Sequence, residues 1–313
     1  MESVAFDKTF LRGLSSKTVI VTGGANGIGA QTARLCHTYG ANVTIADLAS
    51  SQNAANNIIT SLPAGSQQRM IYIPTNTTSW NDLKHMFFKT FSAFGSVQIV
   101  IANAGVMEST NFWDFDQLDE QGDPLEPKES SRVIDINLKG TMNTLKLAMY
   151  HMRSNPPCFP DSSRGSIILI SSTSGYFGSS GVASYISSKH GVTGVLRASQ
   201  GAANQLGIRV NGIAPFYTPT HMTSGYSALW SKSSVPGNTV DDLAQAITQT
   251  AMDSSRSGKC FLVALGKMIE LETFYNAMVP EWVGSDVAEL MNSAGRFMKD
   301  IGGYKLPQER PKL

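Results

Sequence analysis

Residues 18–29 read Thr18-Val-Ile-Val-Thr-Gly-Gly-Ala-Asn-Gly-Ile-Gly29. The first five are all β-branched, which predicts a strand buried on both faces rather than one with a wet side. The glycines that follow predict a tight turn into a helix from about Gly29 to Tyr39, stopped by Gly40. Gly23, Gly27 and Gly29 allow a sharp bend, a close approach of backbone to pyrophosphate, and close packing of helix on strand. Around them, Asn26 and Ile28 complete a turn whose helix end offers free N–H groups and the positive end of a dipole to an anion. No Lys-Ser/Thr pair follows the last glycine, so this is not a Walker phosphate loop.

Outward from the turn the pattern repeats. Asn42–Asp47, Met70–Ile73, Val97–Ala102, Ser166–Ile170, Ile208–Ile213 and Cys260–Leu265 read as further strands. Between them lie helical stretches at about 51–61, 81–94, 131–153, from 184, and 240–252. The stretch from Asn81 to Phe94 puts Leu83, Met86, Phe87, Thr90 and Phe91 on one stripe. Strand alternating with helix at this cadence predicts parallel βαβ units and an α/β doubly wound parallel sheet of about seven strands with helices on both faces. Residues 108–130, with Asp114, Asp116, Asp119, Glu120 and Asp123, read as an acidic surface loop, and 216–238 as irregular. With no repeat and no low-complexity linker, one domain over 1–313 is expected, with a mobile tail after about 306.

Composition narrows the class. Among 313 residues, Lys and Arg number 25 against 24 Asp and Glu, so no basic stripe is available to neutralise nucleic-acid phosphates. Three cysteines and five scattered histidines show neither a disulfide framework nor metal-ligand spacing, and no metal is expected. The N-terminus lacks the basic-then-apolar layout of a signal peptide, and no apolar run approaches the ~18 residues of a membrane span. A soluble cytoplasmic protein is the expectation.

Two features point to chemistry. Asp47 ends the second strand 18 residues beyond Gly29, a spacing that suits a carboxylate on adenosine ribose hydroxyls. It would repel a 2′-phosphate, and neither Asn26 nor Leu48 is a cation that could hold one, so NAD(H) is expected over NADP(H). Further along, Tyr185-Ile-Ser-Ser-Lys189 puts a phenol and an ammonium on one helix face. A nearby cation lowers a phenol's pKa, and a tuned phenol transfers protons well. Ser172, 13 residues earlier, follows a strand and could bond a reacting oxygen; Asn137 could hold a relay water toward Lys189.

In this order, Thr22-Gly-x-x-x-Gly-Ile-Gly29, Asn103-Ala-Gly105, Asn137, Ser172, Tyr185-x-x-x-Lys189 and Arg209-Val-Asn-Gly-Ile-Ala-Pro215 resemble the short-chain dehydrogenase/reductase family over about residues 15–265. The glycine spacing, three residues then one, is that of its short rather than its extended members. The resemblance implies a Rossmann-type fold, Asn103, Ala104 and Gly105 along the adenosine side, Asn76 and Thr77 near adenine, and Pro215, Thr218 and Thr220 at the nicotinamide end. It implies Asn137, Ser172, Tyr185 and Lys189 as the catalytic set, with Tyr185 and Lys189 also touching the cofactor. Asn76 stands where the family usually has Asp, and Phe216 where Gly is common. The subgroup looks like NAD-dependent secondary-alcohol dehydrogenases, and the run from Ala214 to His221 is similar to fungal polyketide or terpenoid pathway members.

Segment 216–238 should lie over the crevice at the strand C-termini as a lid. Phe177, Phe216, Tyr217, Met222 and Tyr226 are candidates to line it with Ser172 and Tyr185, suiting a small hydrophobic substrate such as a bulky alcohol or ketone. Small residues at 148, 191, 194, 198 and 202 imply, by the same resemblance, a homodimer or homotetramer. Two alternatives stand beside an NAD-dependent oxidoreductase: an NADPH-dependent ketoreductase of the same fold, and a non-catalytic dinucleotide-binding sensor.

Overall fold

The computed structural model describes residues 3–307. The last residues of the expected mobile tail, 308–313, lie outside the described residues. Two compact units are present, residues 1–270 and 271–313. Among the described residues the first holds nine strands: β1 (Ser3–Val4), β2 (Thr18–Thr22), β3 (Asn42–Asp47), β4 (Met70–Pro74), β5 (Ile99–Ala102), β6 (Gly165–Ile170), β7 (Ile208–Pro215), β8 (Cys260–Ala264) and β9 (Lys267–Glu270). Its helices are α1 (Gly27–Thr38), α2 (Gln52–Thr60), α3 (Trp80–Phe94), α4 (Lys128–Ile134), α5 (Gly140–Met152), α6 (Ser174–Phe177), α7 (Ala183–Leu206), α8 (Ser224–Lys232) and α9 (Val240–Met252). The second unit contains α10 (Glu272–Val283) and α11 (Ser285–Asp300).

The strands form one sheet in the order β1-β9-β8-β7-β6-β5-β2-β3-β4. From β2 to β8 every pairing is parallel, which gives the seven strands expected. The structure adds two. Leu265 and Gly266, both at positive φ, turn the chain back so that β9 pairs antiparallel with β8, and β1 then pairs antiparallel with β9. Short strands of four and two residues carry too little pattern to stand out in a sequence.

Alternation along each strand sorts the layers. Val19, Val21, Val43 and Ile45 enter a buried cluster with Ala33 and Cys36 of α1 and Leu243 and Ile247 of α9. The Thr44 hydroxyl points the other way and meets Thr90 of α3 at 3.0 Å. Both faces are therefore covered, which is why β2 is buried at all five positions. The Arg209-Val-Asn211 run of β7 holds the sheet to the end of α9. Arg209 donates to the carbonyls of Ala251 at 2.9 Å and Asp253 at 3.0 Å, and Asn211 to that of Arg256 at 2.9 Å. These satisfy the Ala251 carbonyl that the helix C-terminus leaves open, and carbonyls of the turn that follows it.

Three local readings differ from expectation. The helix expected at 131–153 starts at Lys128 and passes through a π-helical stretch, Asp135–Lys139, before α5. Segment 216–238 is not irregular throughout: Thr220 and Thr223 form a capping box that starts a 3₁₀ turn, and α8 follows. Ser-rich composition hides that helix, because serine favours caps and turns over helix interiors. The acidic loop is exposed from Ser109 to Lys128 except that its first member, Glu108, is buried.

Candidate active site

The glycine turn is shaped by what surrounds it. Gly23 has φ +63°, and a Cβ there would lie 2.9 Å from Ala104 Cα. A Cβ at Gly29 would press into the Gly23 carbonyl oxygen and lie 2.6 Å from Asn103 Nδ2. Asn103 donates to the carbonyls of Thr22 at 3.0 Å and Gly23 at 3.1 Å, and the backbone N–H groups of Asn103 and Ala104 bond the Thr22 hydroxyl. Asn103 is thus the brace of the turn. Asn26, the N-cap of α1, makes no side-chain capping bond, so its helix end is left for another acceptor. Ile28 packs against the core, and Thr220 reaches over the turn, 3.2 Å from where a Gly27 Cβ would sit.

Asp47 ends β3 beside this turn and is already employed: it accepts from Ala25 N at 3.0 Å, Leu48 N at 2.8 Å and the Ser51 hydroxyl at 3.0 Å. Leu48 is half exposed. Asn76 is exposed, and its side-chain carbonyl accepts from the N–H and hydroxyl of Thr78 at 3.0 and 2.9 Å. Thr77 is buried against Gly140. At the far end, Pro215 closes β7, Thr218 is buried with its hydroxyl on the Phe216 carbonyl, and Thr223 accepts from Thr220 N.

Gly105 connects the turn to the reactive residues. A Cβ there would lie 3.2 Å from Asn137 Oδ1 and 3.6 Å from Lys189 Nζ. Lys189 is buried and donates to the Ile170 carbonyl at 2.9 Å; its Nζ is 5.5 Å from the centre of the Tyr185 ring. Ser172, two residues past β6, is buried and accepts from Ser174 N at 3.1 Å. Asn137 is fully buried within the π-helical stretch, a feature often found at functional sites. It accepts from Val106 N at 2.8 Å, donates to Val106 O at 2.8 Å, and donates to the Ser188 hydroxyl at 3.0 Å. Its side chain is a clamp on the loop after β5, and its main-chain carbonyl accepts from the Thr141 hydroxyl at 2.7 Å.

The electrostatics differ from the sequence argument. Desolvation raises the Tyr185 phenol above its usual value; the Ser172 hydroxyl pulls it back, while Tyr226 and Glu108 push it further up. Burial alone lowers Lys189 from 10.5 to about 8, so the cation expected to acidify the phenol is itself weakened in the free protein. The sign of its effect on stability follows. Between about 8 and 10.5 the unfolded chain holds more protons at this site, so stability rises with pH across that window. Wild type is expected to gain up to about 3 kcal/mol there relative to Lys189→Met. Denaturant titrations at the two ends of the window measure this, and parallel curves for the two proteins refute it.

Of the substrate-side candidates, Phe216, Tyr217 and Tyr226 gather around Trp230, with Tyr217 stacked on it at 4.1 Å. Phe177, on α6, and Met222 are exposed. Two residues of the expected assembly stripe are used inside the protomer: Ala148 is buried, and Gly191 meets Leu138, whose atoms lie 2.8 Å from a notional Cβ. Gly194, Ala198 and Ala202 remain exposed on α7. Sequence reasoning missed Glu108, which accepts from the N–H groups of Ser184 and Tyr185. One acid at the head of a run of acids carries no signal of burial. Among the described residues no group of three or more His, Cys, Asp or Glu is placed to hold a metal, and no helix is long and apolar enough to cross a membrane.

The sequence profile described as short chain dehydrogenase matches residues 17–228. The chain belongs to that family. Short-chain dehydrogenase reductase 4 of Arabidopsis thaliana is 32% identical over 214 residues, 68% of this chain and 65% of that protein. The chain therefore spans just under two thirds of that relative. A 5′-hydroxyaverantin dehydrogenase of Dothistroma septosporum is 27% identical over 296 residues, covering 90% of this chain and 94% of that one. The crystal structure of 3-hydroxyacyl-CoA dehydrogenase type-2 from Mycobacterium avium superposes with a TM-score of 0.67 at 26% identity, covering 80% of this chain and 95% of that one. Short-chain dehydrogenases bind a nicotinamide dinucleotide, NAD or NADP. The residues present fit that group: a side chain at Gly23 or Gly29 would fill the cradle, and the end of α1 lacks a side-chain cap.

Proposed function

We propose that the protein is an NAD-dependent oxidoreductase that oxidises a bulky hydrophobic secondary alcohol to a ketone, in cytoplasmic secondary metabolism. The observation that carries this reading is the grouping of Tyr185, Ser172 and Lys189 at the C-terminal end of β6, joined through Gly105 and Ala104 to the glycine turn. Bound there, the nicotinamide supplies the hydride acceptor, or the donor in the reverse direction. Tyr185 takes the hydroxyl proton in oxidation and returns it in reduction. Ser172 orients the substrate oxygen with its hydroxyl. Lys189, fixed by the Ile170 carbonyl, stands ready to bond the cofactor's ribose and to favour the phenolate when charged. Asn137 keeps the loop after β5 in register with α7 through Val106 and Ser188.

The aromatic cluster of Phe216, Tyr217, Tyr226 and Trp230 supports an apolar substrate wall, with 216–238 as a lid. The likeness of nearly the whole chain to a 5′-hydroxyaverantin dehydrogenase supports a substrate of that bulk and a place in secondary metabolism. The exposed Gly194, Ala198 and Ala202 face of α7 supports pairing with a second copy. Asp47 supports NAD, since a second negative charge beside it is repelled.

The test is turnover of a panel of hydrophobic secondary alcohols with NAD and with NADP. Wild type is expected to prefer NAD by about 100-fold in Kd, about 2.7 kcal/mol. In Asp47→Ala, NAD binding weakens and the preference collapses to within about tenfold. Equal affinity for both cofactors in wild type overturns the NAD assignment, and no turnover of any alcohol or ketone favours the sensor.

A further inference from the structure

We propose that Glu108 is a positioning residue that fixes the start of α7, and with it Tyr185, from the loop after β5. This rests on the oxidoreductase reading above. Glu108 is 9% exposed, yet it belongs to a segment otherwise directed to solvent. Its two carboxylate oxygens take different N–H groups: Oε1 accepts from Ser184 N at 2.9 Å and Oε2 from Tyr185 N at 3.0 Å. These donors lie in the first turn of α7, where helices leave N–H groups open. Val182, the residue at the N-cap, gives no side-chain bond. The cap is instead supplied from 76 residues upstream in the chain. A carboxylate on helix N–H groups makes charge-assisted bonds and meets the positive end of the dipole.

The loop that carries Glu108 is held on either side. Val106 is bonded in both directions by Asn137. Ser109 and Thr110 together give three hydrogen bonds to Glu129 in the first turn of α4, at 2.6–2.8 Å, and these bonds, the Thr110 hydroxyl's first, hold the Glu129 carboxyl down at about 2. Segment 106–110 is therefore a strap anchored on α4 and the π-helical stretch, and its middle residue grips the backbone of the reacting tyrosine. A small shift of the start of α7 moves the phenol relative to Ser172, and misplacement of about 1 Å can cost 10²-fold in rate.

The position of Glu108 also ties its charge to the phenol. Tyr185 faces Lys189 on its own helix, Tyr226 from α8 and Glu108 from the strap. Glu108 disfavours the phenolate, so removing its charge lowers the pH at which the phenol ionises. A purely structural cap would not do this.

The experiment uses the full chain in four forms: wild type, Glu108→Ala, Glu108→Gln and Tyr185→Phe. Steady-state kinetics use NAD and a secondary alcohol that wild type oxidises. Glu108→Ala is expected to lose about 100-fold in kcat, with the Kd for NAD changed less than about twofold. Glu108→Gln keeps the shape and one acceptor oxygen, and is expected within about tenfold of wild type. Its pH profile should shift to lower pH. Ultraviolet difference titration of the phenol in the free protein, with Tyr185→Phe versions as the reference in each background, should show the same downward shift without any turnover. Should Glu108→Ala not fold, the Glu108→Gln titration decides alone. An unmoved phenol titration in Glu108→Gln, or a Glu108→Ala kcat within about twofold of wild type, overturns the proposal. Failure of the underlying reading looks different: Tyr185→Phe would then remain active.

Discussion

Tyr185→Phe is expected to lower kcat for alcohol oxidation by about 10³–10⁴-fold while the Kd for NAD stays within about twofold of wild type. The substitution removes one oxygen and leaves the ring, its helix and the Lys189 contact in place. General acid–base catalysis by a positioned side chain contributes typically about 10²–10⁴-fold. Ser172 bonds the phenol with its hydroxyl, but an alcohol with no base beside it is a poor proton acceptor. The loss should fall on kcat and kcat/KM alike, as for an interaction that develops in the transition state. Stability should change by no more than about 1 kcal/mol, the net worth of one hydrogen bond. Because the free phenol is held above its usual value, wild-type oxidation should quicken toward alkaline pH, where the phenolate becomes accessible. Retained turnover in Tyr185→Phe, measured against cofactor reduction, would remove Tyr185 from the chemistry.

The second large effect is expected at Gly29. Gly29→Ala adds only a methyl group, but it enters space occupied by the Gly23 carbonyl and the Asn103 amide. Neither can yield easily: the carbonyl is backbone, and the amide is bonded to Thr22 and Gly23. The turn must open, at about 2–3 kcal/mol in stability, which lowers Tm by several degrees. An opened turn no longer follows the pyrophosphate, so the Kd for NAD should rise by about 100-fold or more. Fluorescence titration with NAD and a thermal melt measure the two effects separately. Gly65→Ala, where nothing lies within 4 Å of the added methyl, serves as the comparison, because its positive φ brings strain without any clash. If Gly29→Ala binds NAD as well as wild type, the cradle is not where the cofactor's phosphates sit.

The parallel sheet was legible because burial on both faces writes itself as unbroken β-branched runs, as at Thr18–Thr22, and because amphipathic stripes such as Leu83, Met86, Phe87 and Thr90 recur between them. The order of motifs likewise marked Ser172, Tyr185 and Lys189 as candidates. What escaped was whatever depends on long-range partners. Glu108 reads as one more surface acid until α7 arrives to meet it. The depressed Lys189 follows from how deeply the fold buries it, which spacing along one helix cannot express. Nor does a Tyr-Ser-Trp-rich segment announce α8, whose aromatic rings are held by stacking on Tyr217 rather than by helix preference.

Asp47 carries a consequence for how this lineage could change. The carboxylate that would turn away a phosphorylated ribose also holds Ala25 in the bend and Ser51 at the start of the next helical segment. On the proposed NAD reading, a drift toward the phosphorylated coenzyme that swaps that one acid for a neutral or basic residue also slackens the loop both coenzymes share. Compensating donors and acceptors around Ala25 would have to come first, so on that proposed reading the coenzyme is held by architecture as well as by charge.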